Sequence, residues 1–261
     1  MIALANRSGA AAFFCYHSVA EDGPPFLSLP PSVLERQLAV LRRRGWASGS
    51  RRDLDDLAAG RRPDRPRAFL TFDDGFADNR STALGLLREH GMRGIVFVLP
   101  PLLETGGTLS WPEVAERQQR HPAVMRSTDW AGTEQLADAG WEIGSHTLAH
   151  HRLTHLAPDE LEQELLDSRR RIAERLGRCD VLAYPFGDWD ARVREAAGRA
   201  GYAFAFTVPS GGQRGADRLS IPRIAVDHRD DERRFTLKLN AATRALLLSP
   251  LKTALRTVRS R

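Results

Sequence analysis

A chain of 261 residues is long enough for one large α/β domain with an ample core. With 42% hydrophobic and 27% charged residues it reads as globular, not disordered, and no apolar run reaches the roughly 20 residues of a membrane-spanning helix. The net charge is +5, but eight basic residues and no acid lie between Arg233 and Arg261; without them residues 1–232 carry −3, which argues against a nucleic-acid-binding body.

The first apolar segment, Ala10 to Tyr16, is too short for a secretion signal and lacks a basic start, so it reads as a buried strand over 11–17. The expectation that follows is a cytoplasmic protein. A helix is expected over 31–44 after paired prolines, then a strand over 68–72, a helix over 78–90 and a strand over 94–99. Residues 100–127 are irregular and read as an excursion over one face. A helix over 133–139 and a strand over 141–145 follow, then a helix over 158–176, with Pro158 suited to its first turn and Gly177 to its cap. Strands at 181–185, 203–208 and 221–226 enclose a last helix at 190–200. Cys15 and Cys179, the two cysteines, sit in apolar stretches and read as buried thiols.

This alternation predicts a mostly parallel sheet, flat or closed into a barrel, with sites on the loops after the strand ends. One domain is expected over 1–232, with a basic helical tail over 233–261. In that tail Leu251, Ala254, Leu255 and Val258 would share a helical face. Such a helix either docks on the body or is drawn to an anionic membrane surface.

Three segments carry chemistry. In "FLTFDDGFADN" (69–79) a strand runs into Asp73 and Asp74, whose side chains start towards opposite sides, and Gly75 allows a sharp exit. Two carboxylates in different surroundings can divide cation binding from proton transfer, although Asp-Gly is also a common turn pair. "EIGSHTLAHHRLTHL" places four histidines within ten residues, at 146, 150, 151 and 155. His146 and His150 with one aspartate make a two-histidine, one-carboxylate set for a divalent metal, whereas His151 and His155 read as structural or supporting. In "LAYPFGDWD" (182–190) a third strand end meets a Pro-aromatic-Gly turn, read either as a packed turn or as a site element.

"TFDDG", "SHTLAH" and "YPFG", in that order, resemble the first three motifs of the polysaccharide deacetylases, the NodB-homology family. The flanking "YHSV", "GWEIGSH" and "IPRI" agree, and the resemblance spans roughly residues 12–228. It implies a distorted (β/α) barrel with a metal at its mouth. It further implies Asp74, His146 and His150 as ligands, Asp73 as base, and the Phe186 backbone N–H at an oxyanion. The cation would be zinc, with cobalt, nickel or iron also suited.

Two departures stand out. Ala183 occupies the place of an arginine that positions the base in many members, which leaves Arg223 as a candidate. No late leucine-x-histidine motif supplies a general acid. The subgroup with an N-terminal "YH" strand offers His17 instead, and His228 is the alternative. Trp130, Tyr184 and Trp189 are candidates for stacking on sugar rings.

The expected activity is removal of N-acetyl groups from a glycan, either as polymer or as a lipid- or nucleotide-linked precursor, with peripheral membrane contact through the tail. The competing readings are a deacylase of a non-glycan amide or ester and an inactive carbohydrate-binding relative.

Overall fold

The computed structural model describes residues 9–208 and 217–248. The part of the expected helical tail beyond Leu248, with Leu251, Ala254, Leu255 and Val258, and the first eight residues lie outside them. The elements begin β1 (Ala11–Tyr16), α1 (Pro31–Arg43), β2 (Ala47–Ser48), α2 (Arg51–Ala58), β3 (Arg67–Phe72), and a π-helical turn at Asn79–Ala83 leading into α3 (Leu84–Glu89). They continue with β4 (Gly94–Val98), α4 (Pro100–Leu103), α5 (Ala115–Arg120), α6 (Trp130–Asp138), β5 (Glu142–Ser145), α7 (Pro158–Leu176), β6 (Val181–Ala183) and α8 (Ala191–Arg199). The last are β7 (Phe204–Thr207), β8 (Ile221–Pro222), β9 (Ile224–Ala225), α9 (Glu232–Leu239) and α10 (Ala241–Leu247).

The strands follow the order β8-β7-β6-β5-β4-β3-β1-β9, all parallel, with β2 paired to the start of β3. Because β8 and β9 are consecutive in the chain, this order bends the sheet into a nearly closed barrel. The expected single strand over 221–226 is split at Arg223: Ile221 and Pro222 pair with β7, whereas Ile224 and Ala225 pair with β1. One short stretch thus closes the barrel by serving both edges, and Arg223 sits at the seam.

Strand alternation sorts the core into two layers. Phe13, Phe69, Ile95, Phe97, Val181, Phe204 and Phe206 fill the interior, with Phe13 stacked on Phe69 at 4.5 Å. Leu54 and Leu57 of α2 belong to this inner cluster and plug its lower end. That helix was not anticipated, although Ser50 and Asp53 cap it reciprocally. The alternate residues Ala12, Phe14, Tyr16, Leu70 and Phe72 face the surrounding helices. Among these, α7 has the expected bounds, with Pro158 in its first turn, Glu160 accepting from Ala157 N–H, and Gly177 closing it at φ 82°.

The excursion after β4 carries its own small core of Phe76, Leu109, Val114 and Met125. The expected boundary at residue 232 falls at the start of α9, which packs on the barrel through Phe235, 5.0 Å from Phe14. Arg244 of α10 is fully buried, with its guanidinium 5.6 Å from the Trp46 ring. The first part of the basic segment, to Leu248, is therefore docked on the body. Among the described residues no helix is long and apolar enough to cross a membrane.

Candidate active site

The inward series along β3, Phe69 then Thr71, continues into Asp73, so alternation itself delivers this carboxylate to the barrel interior. Asp74 leaves the strand at φ 70° and Gly75 at φ 65°, which turns the second carboxylate away from the first. A side chain at 75 would have its Cβ 3.0 Å from Val98 Cγ1, so glycine serves both the turn and the close approach to β4.

After β5, His146 N–H donates to Val98 O at 2.8 Å. Thr147 and His150 both take positive φ, 69° and 57°. Glu164, reaching up from α7, accepts from the N–H groups of Leu148 and Ala149 at 2.9 and 3.1 Å and holds this loop. The Nε2 atoms of His146 and His150 each lie 3.3 Å from the same Asp74 oxygen, Oδ1, which is buried without a hydrogen-bond partner.

His146 Nδ1 faces the Ala183 carbonyl at 2.8 Å. A carbonyl only accepts, so Nδ1 carries the proton, which leaves Nε2, the nitrogen that faces Asp74, as the one able to offer a lone pair to a cation. One candidate ligand atom from each of Asp74, His146 and His150 lies within 4.8 Å of the others, a spacing a single cation could bridge. Two imidazoles and one carboxylate fit a divalent ion of the zinc, cobalt, nickel or iron type. Burial raises the Asp74 carboxyl, whereas the two imidazoles, when protonated, donate to it and hold it well below the usual range.

Asp73 has different company. Arg223, wholly buried, donates from both terminal nitrogens, at 2.6 Å to Oδ1 and 2.8 Å to Oδ2. The Cys15 thiol lies 3.3 Å from Oδ2, and Arg223 also reaches Thr71 Oγ1 at 2.8 Å. Burial pushes the Asp73 carboxyl up, but Arg223, with His146 and His17 nearby, holds it at about 2. Ala183 lies in the inner apolar cluster, and the guanidinium beside Asp73 comes from the seam strand instead.

His17 follows β1, with a ring nitrogen within 4.8 Å of the Asp73 carboxylate and of Cys15 Sγ. Its backbone is pinned by Asn79, whose amide donates to His17 O at 2.8 Å. Asp78 accepts from Ser18 Oγ at 2.6 Å and from Val19 N–H at 2.8 Å, and burial pushes its carboxyl up to about 6. His228, the alternative, is exposed and meets Phe26, whose N–H donates to its Nδ1 at 3.4 Å.

Phe186 occupies the turn after β6 at φ 58°, its ring edge-on to His150 at 4.6 Å and under the Arg152 guanidinium at 4.0 Å. Trp111 stacks on the opposite side of this arrangement, 3.9 Å from the His150 ring centroid. It also lines a cleft of about 570 Å³ with Ser110, Glu113, His150, Arg152 and His155.

Of the three aromatic stacking candidates, Tyr184 has to be corrected. It is fully buried, and its hydroxyl donates to Leu219 O at 2.8 Å, so it offers no face to a sugar. Trp130 begins α6, packs partly buried against the outer core and lies 5.9 Å from the Arg175 guanidinium, away from the cleft-lining residues. Trp189 packs half-buried beside Tyr184 at 6.5 Å.

Sequence reasoning missed Trp111, Glu164 and the Asp78–Asn79 pair. The pair alone had a local signal, two amide-or-carboxylate residues four and five positions beyond Asp74.

The sequence model of the polysaccharide deacetylase family matches residues 60–205, more than half of the chain. YxkH of Bacillus subtilis, named as a candidate polysaccharide deacetylase, is 23% identical over 214 residues, 81% of this chain and 69% of that protein. A chitooligosaccharide deacetylase of Rhizobium leguminosarum is 25% identical over 139 residues, 52% of this chain and 51% of its own length. Among solved structures, the Streptococcus pyogenes deacetylase PplD in complex with acetate has a similar fold, with a TM-score of 0.74 at 19% identity over 88% of this chain and 97% of that one.

Proposed function

The chain belongs to the polysaccharide deacetylase family, and from that premise we propose that it is a metal-dependent hydrolase removing acetyl groups from an N-acetylated glycan. The observation that carries the proposal is the pairing of two unlike carboxylates: Asp74 facing the Nε2 atoms of two histidines, and Asp73 clamped by Arg223 a residue away.

Asp74, His146 and His150 would hold the divalent cation. Bound there, it would supply Lewis acidity and lower the pKa of a water at the site. Asp73, kept ionised and aligned by Arg223, takes that proton as the water attacks the acetyl carbonyl, a role typically contributing about 10²–10⁴-fold. The Phe186 backbone N–H donates to the charge developing on the carbonyl oxygen, and one such donor is worth about 3 kcal/mol. An amine leaves poorly unless protonated, and His17, beside Asp73, supplies the proton. The cleft beside Trp111 receives part of the glycan, with Trp189 near the turn that carries Phe186.

The substrate class in this reading includes lipid- or nucleotide-linked precursors, met at a membrane surface through the basic segment from Arg233. Co-sedimentation with anionic vesicles, with and without residues 249–261, tests that part. The activity itself is tested by acetate release from N-acetylated oligosaccharides, using chelated protein with zinc or cobalt restored. Release that needs the metal and vanishes in Asp73→Asn is expected. No release from any glycan by protein holding one metal per chain would overturn the proposal.

A further inference from the structure

Among the described residues, five non-glycine positions have positive φ: Phe26, Asp74, Thr147, His150 and Phe186. Four of them build the site just described. Backbone held in this sparsely populated region by surrounding contacts clusters where function demands a particular side-chain direction. The fifth, Phe26 at φ 68°, has no such explanation from packing, because 52% of it is exposed. A large apolar ring is thus held in water by an unfavourable backbone conformation.

Its location connects it to the same end of the barrel. Phe26 lies on the loop between β1 and α1. That loop is folded back on Ser18: Ser18 N–H donates to Leu27 O and Leu29 N–H to Ser18 O, both at 3.0 Å. The turn is therefore fixed one residue from His17. The Phe26 ring has the Arg229 guanidinium 4.7 Å from its centroid and the His228 ring edge-on at 5.2 Å. Arg229 is in turn held by both carboxylate oxygens of Asp227, at 3.0 and 2.6 Å.

In the strand order, β1 and β4 flank β3, which carries Asp73 and Asp74. The Phe26 loop follows β1 and the Trp111 excursion follows β4. The two aromatic rings are therefore carried by loops that follow the strands on either side of the one bearing the paired carboxylates.

We propose that Phe26 is a stacking platform for a pyranose ring one or more units along the glycan from the unit that loses its acetyl group. The C–H face of a pyranose is flat and apolar and covers an aromatic ring. A cation behind the ring fixes the ring's orientation without occupying its exposed part. The inference rests on the reading of the site as a glycan deacetylase and adds to it a substrate of several sugar units lying across the mouth from the Trp111 side to the Phe26 side.

The test compares wild-type holoenzyme with Phe26→Gly, which relieves the backbone and deletes the ring, and Phe26→Tyr, which keeps the ring. The probes are N-acetylchitopentaose and N-acetylglucosamine, with thermal unfolding recorded for each protein. The expected result is a KM for the pentasaccharide raised about tenfold in Phe26→Gly, with kcat within twofold, unfolding temperature not lowered, and KM restored in Phe26→Tyr. The monosaccharide should be turned over equally by all three. An unchanged pentasaccharide KM in Phe26→Gly would overturn the platform while leaving the deacetylase reading intact. A lowered unfolding temperature with no rescue by tyrosine would overturn it in favour of a purely structural Phe26. No acetate release by wild type from either probe or from poly-N-acetylglucosamine would overturn the deacetylase reading and the platform with it.

Discussion

Replacing Arg223 by methionine removes the Asp73-gripping guanidinium, whose central carbon lies 5.4 and 5.8 Å from the Phe97 and Phe206 rings, and puts an apolar chain in its place. Asp73 would be left as a buried carboxylate with the Cys15 thiol against it and His146 and His17 nearby but no guanidinium, and breaking a buried pair from one side costs about 3–5 kcal/mol. The pH dependence identifies the cause. In the wild type the Asp73 carboxyl is held at about 2, below its ordinary 3.8, so its ionised form contributes on the order of 2 kcal/mol above pH 4, and this is lost as pH falls towards 2. In the variant burial acts without the guanidinium and raises the carboxyl above 3.8. Its ionised form then destabilises the fold, and acid relieves that penalty. The stability gap should be about 3–5 kcal/mol at pH 7 and shrink by about 2 kcal/mol or more by pH 3. Urea unfolding of chelated protein across that range measures it. A gap that stays constant with pH would mean that lost packing against the two phenylalanines, not lost charge, accounts for the effect, and the electrostatic reasoning would fail.

Four further outcomes are expected. Asp73→Asn should keep one metal per chain by elemental analysis while kcat falls about 10²–10⁴-fold, whereas Asp74→Ala and His146→Ala should lose the metal. Chelation should lower the unfolding temperature, since a ligand at a thousand times its Kd stabilises by about 4 kcal/mol; an unchanged temperature would count against a metal site in the fold. Glu164→Ala, releasing the N–H groups of Leu148 and Ala149, should weaken metal affinity about 10–100-fold in competition with a chromogenic chelator. His17→Ala should reduce kcat about 10²–10⁴-fold with little change in KM, while His228→Ala leaves kcat intact.

The strands were legible because apolar runs bounded by turn residues survive any tertiary context, and α7 because proline and glycine mark both its ends. The metal-type donor set was legible too, since its members lie in two short motifs at strand ends. What the sequence did not reveal depends on long-range geometry. Arg223 approaches Asp73 across 150 residues, and only barrel closure brings the two together. The break in the expected strand at 221–226 has the same origin, because one stretch must satisfy two edges. Tyr184 looked like a binding residue in the motif, yet alternation along β6 turns its ring into the outer core. Trp111 sits in an irregular segment whose path nothing local determines. The positive φ values at Asp74, Thr147, His150 and Phe186 have no sequence signature, since only glycine announces that conformation.

The seam at Arg223 also has a consequence for the order in which the molecule is assembled. The carboxylates and both histidines are in the chain by residue 150, but the guanidinium that aligns Asp73 arrives with residues 221–225, the stretch that joins β7 to β1. Contacts of such separation carry a large loop-closure entropy and tend to form late. A nascent or nicked chain lacking the seam could gather Asp74, His146 and His150 yet would hold Asp73 without its guanidinium in an open cylinder. Under the proposed function, completion of the barrel and competence for hydrolysis would then be one event, with the last strand to dock as the maturation step.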